Sequence, residues 1–228
     1  MRDFIVNILV KLGLYKPAVE CINRVKFKKQ ARRMQQYGLE MLSQAEKAFG
    51  AMGGKAFLTF GCLLGAYREH GFINYDPDID LGVMADELPE NYRETLQQYG
   101  FELYRYNYIK ESDTIFEETY LYKNLHLDIF YYFKDGQDYY SIIQRKHETK
   151  DWKEANVTDG FPCDRSYVPA CDFEITDFLG VKVYVPQDTD GWLRAIYSDS
   201  YMTPIKNWNA KDYKTRIVHT QERSYRSC

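Results

Sequence analysis

Little in this sequence invites a simple reading from bulk properties. Its formal net charge is −3, which gives no general attraction to nucleic acid, whose binding proteins show a basic face. No run approaches the ~18 consecutive apolar residues that a membrane-spanning helix needs. The N-terminus joins a basic residue to an apolar run, but Lys11 interrupts it and no small-residue cleavage site follows. No signal peptide is expected. The five cysteines (21, 62, 163, 171 and 228) are odd in number and scattered. Cys163 and Cys171 come nearest to a pair, yet they lack the close Cys-x₂₋₄-Cys spacing of a zinc site. Reduced thiols in a cytoplasmic protein are the expectation. Internal repeats and low-complexity segments are also missing.

What is present is a composition able to bury a core. Of 228 residues, 45% are apolar and 16% aromatic, enough for one folded domain or a domain with an appendage. The most informative stretch is FLTFGCLLGAYREHGFINYDPDIDLGV, residues 57–83. The apolar run Ala56 to Phe60 predicts a buried strand. Gly61 breaks it, and Cys62 to Arg68 predicts one or two turns of helix. A helix that starts after a strand and a glycine offers unpaired N–H groups and a positive dipole end, an anion site. From Ile73 to Val83 the chain is extended, with Asp76, Asp78 and Asp80 alternating with Pro77, Ile79 and Leu81. Alternate side chains of a strand share a face. Three carboxylates on one face repel unless a cation sits between them, and a hard divalent ion suits oxygen donors.

Residues 61–83 resemble the signature of the LicD family, the phosphocholine transferases related to fukutin. The likeness continues at His126-Leu127-Asp128-Ile129-Phe130, and again from Val185-Pro186 through Tyr201-Met202-Thr203-Pro204. Three positions depart from the family pattern. Cys62 stands where Ser or Thr is usual, so a hydroxyl that bonds phosphate is expected to be missing. Asn74-Tyr75 replaces Pro-Trp. Pro77 fixes its own φ and removes a donor, which suits the beginning of a strand better than its middle.

Elsewhere the pattern predicts a long helix from about Lys26 to Phe49, with Met34, Tyr37, Met41 and Ala45 as its buried stripe. Pro89 to Tyr99 predicts a helix, and 101–108, 114–122 and 125–133 predict strands. In the last of these, Asp128 is an acid in an apolar strand, costly unless paired or metal-bound. Asp135-Gly136 marks a hairpin, residues 144–170 an irregular excursion, and 172–185 a hairpin turning at Leu179-Gly180. A helix runs on to Tyr197, and Tyr201 to Asn209 is expected over the mouth of the site. The tail from Lys211 is polar and basic. Phe4, Ile5, Ile8, Leu9 and Leu12 recur at helical spacing, with Lys/Arg residues around and behind them. Two readings of 1–16 stay open: an amphipathic helix on an anionic membrane surface, or a helix packed on the domain.

The resemblance implies an α+β fold: a nucleotidyltransferase-like mixed sheet flanked by helices, with an N-terminal helical segment over 1–25 and the LicD-type domain over 26–228. It implies a transferase that moves phosphocholine or a polyol phosphate from a CDP-alcohol donor, such as CDP-choline or CDP-ribitol, to a glycan hydroxyl. The setting implied is cell-surface polysaccharide or lipopolysaccharide synthesis on the cytoplasmic side. Asp78, Asp80 and Asp128 are expected to hold Mg²⁺ or Mn²⁺. Asp128 doubles as general base and Arg68 contacts phosphate. Gly61, Cys62, Leu63, Arg68 and Asp76 are expected around the donor. A nucleotidyltransferase acting on a protein or small molecule, and an inactive binding protein on the same fold, are the alternatives. No nucleic-acid partner is expected.

Overall fold

The computed structural model describes residues 15–205 and 216–227. Residues 1–14, which hold most of the segment expected over 1–16, the chain from 206 to 215 and Cys228 lie outside it. Helix α1 spans Tyr15–Ala51, beginning well before Lys26 and running unbroken through the boundary expected at residues 25 and 26. Pro17 lies in the first turn, where its missing N–H costs nothing. Propensity alone rarely holds a helix in water. Here Met34, Met41, Leu42, Ala45, Ala48 and Phe49 are buried, the larger of them contributing about 1.5–3 kcal/mol each.

The sheet is mixed and ten-stranded among the described residues. Strand β1 is only Phe57–Leu58, because the chain turns into α2, Phe60–Leu64, and then a π-helical turn over Gly65–Glu69. Strand β2 is Asp78–Met84, starting directly after Pro77 as a proline would favour. It starts five residues later than expected: the Asp76 N–H bonds the Ile73 carbonyl at 2.9 Å, closing a turn. After α3, Tyr92–Gln98, come β3 (Glu102–Ile109), β4 (Thr114–Tyr122), β5 (Leu125–Asp135) and β6 (Asp138–Gln144). Residues 144–170 are more ordered than expected, holding α4 (Trp152–Val157) and β7 (Phe161–Pro169). Strands β8 (Phe173–Phe178) and β9 (Val181–Pro186) form the expected hairpin. Then come α5 (Thr189–Tyr197) and β10 (Ile217–Ser227).

The strand order is β4-β3-β10-β7-β6-β5-β2-β1-β9-β8, and β4 also pairs with β5. The first six strands therefore close on themselves, and β2, β1, β9 and β8 extend the sheet from β5. Strand β5 lies parallel to β2, with Asp78 opposite His126 and Asp80 opposite Asp128. One face of this junction is the main core: Ile79, Leu81, Leu125, Leu127 and Ile129 are fully buried. The other face carries the acids. At the β1 end the Phe57 ring crosses Gly82 so closely that a Cβ there would overlap it.

Candidate active site

Alternation along β2 turns Asp78 and Asp80 away from the buried Ile79 and Leu81. Asp76 reaches the same place from the turn before the strand. One carboxylate oxygen from each of the three lies within 4.8 Å of the others. Asp128 stands beside Asp80 on β5 but is outside that trio, and it accepts a short hydrogen bond from Thr119.

These acids are held against their ordinary ionisation. Burial raises Asp76 to about 6. Burial, reinforced by the charge of Asp76, raises Asp78 to about 7. Asp80 is pushed well above the carboxylate range by burial and then by Asp78, Asp76 and Asp128. Burial, then Glu117 and Asp78, lifts Asp128 to about 7, against Thr119 and Arg105. Crowded oxygen donors with raised pKa values are what a hard divalent cation relieves. Asp76, Asp78 and Asp80, with Asp128 alongside, are a set of oxygen donors that could hold a hard divalent cation.

The turn at Gly61 serves the acids directly. Its N–H donates to Asp80 Oδ2 at 3.1 Å, and a Cβ at Gly61 would collide with Asp76 Oδ2. Gly61 is thus a close approach between turn and carboxylates. Cys62 is 2% exposed and its Sγ accepts the Asp80 N–H at 3.3 Å. The side chain at this position grips the backbone of β2 rather than facing a phosphate, so the missing hydroxyl has a structural meaning. Leu63 is buried in the core. Just ahead of Gly61, Phe60 sits at φ +40°, a conformation costing a bulky residue about 1–3 kcal/mol. Such strain gathers at functional sites, and Phe60 forms part of the cavity wall.

A cavity of about 930 Å³ opens on the acids. Asp76, Asp78, Asp80, Gly61 and Arg68 line it, with Phe60, Phe130, Tyr75, Tyr197 and Tyr201 among its aromatic walls. Thr203, Pro204 and Ile205 also line it, so the described part of the segment after Tyr201 lies over the site as expected. Arg68 donates Nε to Glu69 at 2.8 Å and Nη1 to the Tyr201 carbonyl at 2.9 Å. It thereby ties the π-helical turn to that segment. Cys62 and Leu63 do not line the cavity.

Sequence reasoning missed Arg105. Its Nη2 lies 3.7 Å from Glu117 and 4.0 Å from Asp128. The row Arg105–Thr119–Asp128–Asp80 runs straight across β3, β4, β5 and β2. Only the strand order brings Arg105 there; an arginine in a Tyr-rich segment carries no such signal. Glu118, the neighbouring acid on β4, is fully buried and belongs elsewhere, bonded by Arg93, Tyr92 and Tyr120.

The class the fold defines is an α+β domain with a large mixed sheet, here with three carboxylates lining a large cavity. Within it the chain belongs to the family described as LicD/FKTN/FKRP, nucleotidyltransferase domain, which matches residues 53–188. Similar curated proteins include the mouse ribitol-5-phosphate transferase FKTN, 27% identical over 173 residues, covering 75% of this chain and 34% of the relative. The human ribitol-5-phosphate transferase FKTN is 24% identical over 190 residues, covering 83% and 37%. The chain thus spans about a third of the length of these relatives.

Proposed function

We propose that this chain transfers a phospho-alcohol group from a CDP-alcohol donor to a glycan hydroxyl, as in building a cell-surface polysaccharide. The observation that carries this reading is the Asp76–Asp78–Asp80 cluster on the cavity wall of a LicD/FKTN/FKRP domain. The relatives' activity on ribitol 5-phosphate favours a polyol phosphate over phosphocholine.

Asp76, Asp78 and Asp80 would hold a divalent cation, which would supply positive charge to offset the diphosphate and the leaving group. The acceptor hydroxyl oxygen forms a bond to the phosphorus bearing the alcohol. The bridging P–O bond breaks and CMP departs with its electron pair. Asp128, beside Asp80 on the neighbouring strand, takes the hydroxyl proton. Thr119 fixes the orientation of Asp128 by its hydrogen bond. Arg68, already placed in the cavity wall, offers its guanidinium to a phosphate oxygen.

Incubation with labelled CDP-ribitol, CDP-choline and nucleoside triphosphates separates the candidate activities. Label from the alcohol on a glycan supports the reading. Label from a triphosphate on protein or a small molecule would instead make the chain a nucleotidyltransferase, and no labelled product with intact donor binding would make it a binding protein.

A further inference from the structure

Strand β3 carries an irregularity beside the acids. Leu103 pairs with Tyr120 and Arg105 with Thr119, which leaves Tyr104 as an extra residue. Such a bulge re-aims side chains, and bulges are enriched next to active sites. Here it sets Tyr104 and Arg105 together near β5. The Tyr104 ring stacks on His126, centroids 5.7 Å apart and planes 18° from parallel. His126 is the register partner of Asp78. Tyr104 is nonetheless 50% exposed, a large aromatic left half in water with its ring already held by a neighbour.

Arg105 is engaged only by long contacts: ion pairs to Glu117 and Asp128 and the face of the Tyr104 ring 6.0 Å away. Its Nε is buried with no hydrogen-bond partner, and its Nη2 stands beyond hydrogen-bond distance from Glu117 and Asp128. A guanidinium held only by long ion pairs beside an aromatic face has the chemistry of nucleotide recognition: the ring stacks a base and the fork takes a phosphate. None of Tyr104, Arg105 and His126 lines the 930 Å³ cavity, so they offer a second approach to the same acids.

We propose that Tyr104, supported by His126, is the stacking platform for the base of the nucleotide, and that Arg105 pairs with the phosphate attached to that nucleoside. The cavity lined by Phe60, Phe130, Tyr197 and Tyr201 is then left for the alcohol and the glycan. This inference rests on the transferase reading and adds where the leaving nucleotide sits and what holds it.

The test measures binding of CMP, AMP, GMP and UMP to the full chain with Mg²⁺ by calorimetry, with cytidine as a phosphate-free control. The wild type is expected to prefer CMP. Tyr104→Ala should weaken CMP at least tenfold, Tyr104→Phe should restore it, and both should melt near the wild type. Arg105→Gln should weaken CMP about tenfold while leaving cytidine unchanged, with Arg105→Lys in between. Wild-type affinity for CMP in Tyr104→Ala overturns the platform, and an unchanged CMP-to-cytidine ratio in Arg105→Gln overturns the phosphate contact. If Arg105→Gln melts early, the same ratio in Arg105→Lys decides that contact. Tyr104-dependent binding of a different nucleoside monophosphate upholds the platform but removes the CDP-alcohol donor. Absence of binding by any nucleoside monophosphate overturns the platform.

Discussion

Gly61 and Asp80 are joined by a hydrogen bond from the glycine N–H to the carboxylate, 3.1 Å long. The turn after β1 and the acidic strand β2 are therefore one unit, closed on its other side by Asp76, which fills the space a side chain at Gly61 would need. The glycine's role follows from this contact and does not require a phosphate to lie there.

Gly61→Ala should displace Asp76 and break up the carboxylate trio. The expected result is a stability loss of about 1–3 kcal/mol, the usual range for overpacking a tight site, and loss of Mg²⁺-dependent stabilisation. Thermal melts with and without Mg²⁺ read both. An unchanged Mg²⁺ shift would mean Asp76 is dispensable.

Cys62 should tolerate serine, because a hydroxyl also accepts the Asp80 N–H now bonded to sulfur. Cys62→Ala leaves that N–H without its partner, at a cost of about 1–3 kcal/mol for a buried donor. Urea unfolding should place Ser near the wild type and Ala well below it. Equal stability of the two would show that the N–H···S bond contributes nothing.

The pH dependence of the metal-free protein has a definite sign. Asp76, Asp78 and Asp128 have folded pKa values raised to about 6, 7 and 7, so the folded state binds their protons more tightly than the unfolded chain. Their contribution is complete below the ordinary carboxylate range and is lost as pH rises through 6 to 7. Melting temperature without metal should therefore fall between pH 5 and pH 8. Asp78→Asn, or added Mg²⁺, should flatten the fall; a wild-type slope in Asp78→Asn would contradict this origin.

The N-terminal half of α1 leaves Ile22, Val25 and Phe27 exposed, among Arg24, Lys26, Lys28, Lys29 and Arg32. A surface of this kind favours an anionic bilayer at low ionic strength. Co-sedimentation with anionic vesicles should be strong at low salt, weak at high salt, and reduced in Lys28→Glu/Lys29→Glu. Failure of the full chain to sediment at low salt would remove the membrane contact.

The central features are legible in the sequence where burial is apolar on one side. Ile79 and Leu81 on β2, and Leu127 and Ile129 on β5, alternate with the acids, so the pattern alone makes Asp78, Asp80 and Asp128 stand out. Strands β7 and β10 are not legible, because their inward positions are partly polar: Asp164, Ser166 and Ser224 are buried. Polar inward faces erase the alternation that marks a strand. The helix α4 is hidden by its shortness, and the start of α1 because lysines and arginines interleave its apolar residues, of which Ile22, Val25 and Phe27 are exposed. Arg105 and Tyr104 owe their place to non-local pairing and a bulge, which no local pattern encodes. The role of Cys62 is hidden for a related reason: spacing marks a turn near a phosphate-type site but not which way the side chain points.

The most direct test of the account is transfer of labelled ribitol phosphate from CDP-ribitol to a glycan acceptor, compared between wild type and Asp80→Asn with Mg²⁺ present. Asparagine keeps the size of the side chain and removes a charge from the centre of the cluster. The account predicts a fall in turnover of about a hundredfold to a thousandfold, in line with the electrostatic share of such barriers, with folding intact. Near-wild-type turnover in Asp80→Asn, or full wild-type activity in EDTA, would contradict it.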